Sequence, residues 1–78
     1  MVCCNYKEHT ANTVTYYYGN RESDITGIVV FYLDDGSFEI LKEPDDGVVY
    51  PRSIRKLIGK YWEAFSRKEF GEKISFES

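Results

Sequence analysis

The sequence predicts a small two-layer α+β domain: an antiparallel sheet of three or four strands, covered on one face by a single amphipathic helix, in the order β-β-β-α-β. Three observations predict it. An Asp-Gly pair sits between two apolar runs at residues 33–38. A stripe of apolar residues at three- and four-residue spacing follows Pro51, and β-branched and aromatic runs lie on either side. A chain of 78 residues holds one domain, 1–78, that removes only about 60% of its unfolded surface from water. One helix on one sheet is the simplest layered solution at that size.

Residues 1–12 show no hydrophobic period and read as a loosely attached lead-in. The run Thr13-Val14-Thr15-Tyr16-Tyr17-Tyr18 is β-branched and aromatic throughout and ends at Gly19-Asn20, which reads as the first strand. A polar connector leads to a second strand from about Ile25 to Leu33. The sequence Leu33-Asp34-Asp35-Gly36-Ser37-Phe38 is a hairpin signal. It predicts Leu33 opposite Phe38, with Val29, Phe31, Leu33, Phe38 and Ile40 on the core face. The other face then carries Ile28, Val30, Tyr32 and Leu41 beside Ser37 and Glu39, and is unusually apolar for a sheet face that meets water.

Glu43-Pro44-Asp45-Asp46-Gly47 is an acidic turn leading into the helix, with Pro51 suited to its first position. Ile54, Leu57, Ile58, Tyr61 and Phe65 fall within one stripe of about 100°, with Trp62 at its edge. Gly71 is the predicted stop after Phe70, and Lys73-Ile74-Ser75-Phe76 alternates as a last strand would.

Hydrophobic residues make up 42% of the chain and charged residues 29%, the balance of a folding domain. Aromatic residues reach 17%, with seven tyrosines; tyrosine suits half-wet surfaces such as protein interfaces. The charge is divided along the chain. Residues 1–51 hold three Lys and Arg against nine Asp and Glu, whereas 52–70 hold six against two, within a net charge of −3. Arg52, Lys56, Lys60 and Arg67 project together from the helix face opposite the apolar stripe, with Glu63 placed to pair with Arg67.

These observations predict a non-catalytic interaction module. One helix covers one sheet face, so Ile28, Val30, Tyr32 and Leu41, joined by Tyr16 and Tyr18, form the predicted contact surface for a second copy or another protein, with Arg21, Glu22 and Asp24 as a polar rim. The alternative surface is the basic stripe Arg52, Lys56, Lys60 and Arg67, facing an acidic protein or a nucleic-acid backbone. The net negative charge and the Asp34, Asp35, Asp45 and Asp46 turns oppose nucleic acid.

Chemistry finds little support. Cys3, Cys4 and His9 offer three soft donors where structural zinc takes four, at a spacing that matches no Cys-x2-Cys turn. The paired aspartates lie in turns, and phosphate-binding and nucleophile-elbow motifs are absent, so no cofactor is expected. No apolar run reaches the length of a membrane span, and no signal-peptide pattern opens the chain; the expectation is a cytoplasmic protein.

Overall fold

Among residues 1–77, which the computed structural model describes, the elements are β1 (Val2–His9), β2 (Thr13–Gly19), β3 (Gly27–Tyr32), β4 (Phe38–Lys42), α1 (Pro51–Ser66) and β5 (Lys73–Phe76). The strands form one sheet in the order β4-β3-β2-β1-β5, with every neighbouring pair antiparallel. The order is therefore β-β-β-β-α-β rather than β-β-β-α-β, and the sheet has five strands rather than three or four. The extra strand is the expected lead-in: β1 lies between β2 and β5, with Val2 and Cys4 buried.

β1 pairs Cys4 with Tyr18 and Tyr6 with Tyr16, then shifts register between Tyr6 and Glu8. Its Val2, Cys4 and Tyr6 face the helix side while Cys3, Asn5 and Lys7 alternate with them. The β3–β4 hairpin pairs Phe31 with Phe38 and Val29 with Ile40. Leu33 belongs to the loop instead of pairing with Phe38, a slip of two residues that preserves which face each side chain occupies. Tyr32 N–H donates to Ser37 O and Gly36 N–H to Tyr32 O, closing the loop. Gly36 sits at φ 76°, where a Cβ would be strained.

Helix α1 lays Ile54, Leu57, Ile58 and Phe65 on the sheet, all buried, as the apolar stripe predicts. Beneath them lie Val14, Tyr16, Tyr18, Val29 and Phe31, each at most 1% exposed. Phe65 is the centre of this contact: its ring lies 6.0 Å from that of Tyr16 and 5.8 Å from that of Phe31. The helix ends at Ser66, earlier than the predicted stop at Gly71. Glu69 N–H reaches back to Ala64 O and Lys68 N–H to Phe65 O, with Lys68 in the left-handed region at φ 60°. This closes the last turn in the way glycine usually does at that position.

Candidate interaction surface

Because side chains alternate along each strand, the register assigns the face away from the helix without ambiguity. Across β2 and β3 it sets Tyr17 opposite Ile28, Thr15 opposite Val30 and Thr13 opposite Tyr32. β4 adds Glu39 opposite Val30 and Lys42 opposite Ile28, and the extra residue between them, Leu41, stands 58% exposed at the irregularity. β1 contributes Asn5 opposite Tyr17. The result is a band of Tyr17, Ile28, Val30, Tyr32 and Leu41, bordered by Lys7, Glu8, Glu39 and Lys42.

Two expected members are corrected. Tyr16 and Tyr18 are 0% and 1% exposed and lie under the helix, on the opposite face from Ile28, Val30 and Tyr32. Tyr17, 38% exposed, takes their place. The Tyr16 hydroxyl donates to Gly71 O at 2.9 Å, and burial pushes the Tyr18 phenol up to about 12. Both rings are core, held in their neutral form.

Polar contacts organise the band. Lys7 Nζ lies 5.9 Å from the centre of the Tyr17 ring and donates to Glu8. The Tyr32 hydroxyl donates to Glu39 at 2.7 Å, and that hydrogen bond to a carboxylate raises the Tyr32 pKa. Side chains of both signs therefore rim the apolar centre, so a partner carrying both signs meets no uniform repulsion.

Asp24 does not join the rim. It is 3% exposed, and its carboxylate accepts the N–H groups of Gly47 at 2.7 Å and Asp46 at 3.0 Å and the Thr26 hydroxyl at 2.9 Å. The Gly47 amide, more than any other group, holds the Asp24 pKa low against the opposing effect of burial. Asp24 thereby ties the acidic turn to the connector before β3. The pattern Asp24-x-Thr26 carried a signal for this, since a short acidic side chain two residues before a hydroxyl commonly organises a turn.

The basic stripe of the helix does not remain one free row. Arg67 is held between Glu63, at 2.9 Å, and Glu69, at 3.2 Å. Lys60 donates to Ser75 O at 3.2 Å and lies 5.3 Å from the Tyr61 ring centre. Arg52 and Lys56 are exposed and, among the described residues, make no ion pair.

The soft donors are dispersed. Cys3 and Cys4 are free thiols on opposite sheet faces, and burial pushes the Cys4 thiol up to about 12, far from a reactive thiolate. His9 lies at the far end of β1, where its Nδ1 is 2.6 Å from the Tyr6 hydroxyl and its ring is 4.9 Å from that of Phe70. Among the described residues no three His, Cys, Asp or Glu side chains converge as a metal site requires. The paired aspartates serve their turns: Asp35 accepts the Ser37 N–H, and Asp45 pairs with Lys42. No described helix is long and apolar enough to cross a membrane.

Fold and surface together define a class: a one-helix, five-stranded α+β domain with one covered and one open sheet face. No known family, curated protein or solved structure matches the chain.

Proposed function

We propose that this chain is a non-catalytic protein-interaction module that associates with a second copy of itself through the open face of its sheet. The observation that carries the reading is the band of Tyr17, Ile28, Val30 and Tyr32 on two adjacent strands, a face the single helix does not reach. The mixed charges around it favour self-association, because an isologous contact can set Lys7 or Lys42 of one copy against Glu8 or Glu39 of the other. Small domains also gain stability by oligomerising. A protein partner of matching surface is the other occupant of the same band.

Substitution at Val30 tests this. Lysine suits the site because Glu39 lies opposite and accommodates a cation within one chain. Native mass spectrometry is expected to show the face-to-face association of the wild type lost in Val30→Lys and in Tyr17→Asp, read as fewer copies per assembly, with the circular dichroism of both variants unchanged. Loss of secondary structure in both would place the band in the core and end the reading, as would association indifferent to both changes.

A further inference from the structure

The two edges of the sheet are treated differently. At the β5 edge the helix supplies a cover: the Tyr61 hydroxyl lies 3.4 Å from both the Ser75 N–H and the Ser75 carbonyl oxygen, and Lys60 Nζ donates to that carbonyl at 3.2 Å. The last strand thus has the backbone groups of Ser75 occupied by side chains at its outer edge. At the β4 edge no strand follows, and among the described residues no side chain bonds to the backbone of Phe38–Leu41 from the free side.

The composition of that free edge is self-complementary, with Glu39 and Lys42 exchanging their partners within the chain, the Tyr32 hydroxyl and Asp45, for each other across copies. Glu39 and Lys42 are three residues apart and would ordinarily face opposite sides of a strand. The irregularity at Leu41 brings them to one side, since Glu39 pairs with Val30 and Lys42 with Ile28, both on the open face. When β4 lies antiparallel to a second β4 about a two-fold axis between Ile40 and Leu41, Glu39 comes opposite Lys42 of the other copy, twice. Leu41, whose 58% exposure is otherwise a cost to the isolated chain, lies beside the axis on the open face.

From this we infer that a second copy of the chain adds at the β4 edge, joining two sheets into one of ten strands. The covered β5 edges stand at both ends of the joined sheet, so addition stops at two copies and does not continue into a fibre. The inference adds a second contact to the face-to-face association proposed above, and does not depend on it.

A charge exchange tests it in chains that carry Tyr17→Asp, so that the open face is spoiled and the edge is read alone. Native mass spectrometry of Tyr17→Asp by itself is expected to show a dimer. Adding Glu39→Lys sets lysine against lysine, adding Lys42→Glu sets glutamate against glutamate, and each is expected to weaken the dimer by about ten-fold. Mixing these two chains restores both opposite-sign pairs, and a heterodimer is expected where neither homodimer persists. A monomeric Tyr17→Asp chain, homodimers that survive both changes, or a mixture without heterodimer would each overturn the inference while leaving the face reading standing. Should circular dichroism show either charge variant unfolded, Leu41→Lys replaces it: a monomer is expected, and an unchanged dimer would overturn the inference.

Discussion

Val29 and Val30 are consecutive, identical in chemistry and central in the same strand, yet one is fully buried and the other only partly so. Val29 packs in the cluster that Phe65 and Tyr16 dominate, while Val30 lies between Thr15 and Glu39 on the side the helix does not reach. The difference is entirely one of sheet face. It shows that at the centre of the sheet burial follows where one 16-residue helix lies, whereas near the start of β1 Cys3 is buried on the other face without it. The apolar character of the open face is the ground for the association proposed above.

Three substitutions on the covered side and at its supports sharpen this contrast. The largest effect is expected from Phe65→Ala, which removes the ring between Tyr16 and Phe31 and costs about 3–5 kcal/mol. A domain of this size has stability of the same order, so urea titration should find the variant largely unfolded. Tyr32→Ala, on the open side, should shift the urea midpoint only slightly.

A smaller, pH-dependent effect is expected at Asp24. Its pKa is depressed in the folded state, so its contribution is fully present above the unfolded value near 3.8 and is lost as pH falls through the lower folded value. Thermal melts of the wild type should therefore fall steeply below about pH 4. Asp24→Asn keeps an acceptor for the Asp46 and Gly47 amides but does not titrate; it should be less stable at neutral pH and lose this part of the acid dependence.

The smallest effect is a gain. Lys68 adopts a left-handed conformation to close the helix, and Lys68→Gly should stabilise by about 0.5–1 kcal/mol. A measured loss would mean that the Lys68 ammonium, which donates to Ala11 O, outweighs the backbone strain.

Much of this contrast was legible before the structure. The Asp-Gly hairpin assigned Val29, Phe31, Phe38 and Ile40 to one face and Ile28, Val30 and Tyr32 to the other. That assignment survived a two-residue error in register because side chains repeat with period two. The helix stripe was equally legible from its spacing. The first strand was missed although Val2, Cys4 and Tyr6 do alternate with Cys3, Asn5 and Lys7. Two adjacent cysteines blur that alternation, and the register shift after Tyr6 interrupts it. The error over Tyr16 and Tyr18 has a similar cause: three consecutive tyrosines carry no parity of their own. Val14, in phase with Tyr16 and Tyr18, against Thr13 and Thr15, in phase with Tyr17, held the missing information. The early helix stop was illegible because lysine rarely closes a helix in the left-handed conformation.

The most direct test of the contrast places the same charge at the two adjacent valines and measures circular dichroism and native mass of both variants. Val29→Lys buries an ammonium without a partner, at a cost of several kcal/mol, and should unfold the chain. Val30→Lys meets water and Glu39, and should keep its secondary structure and a stability within about 1 kcal/mol of the wild type while losing face-to-face association. If both variants unfold, or if Val30→Lys associates as the wild type does, the open face is not a surface reserved for contact with another chain.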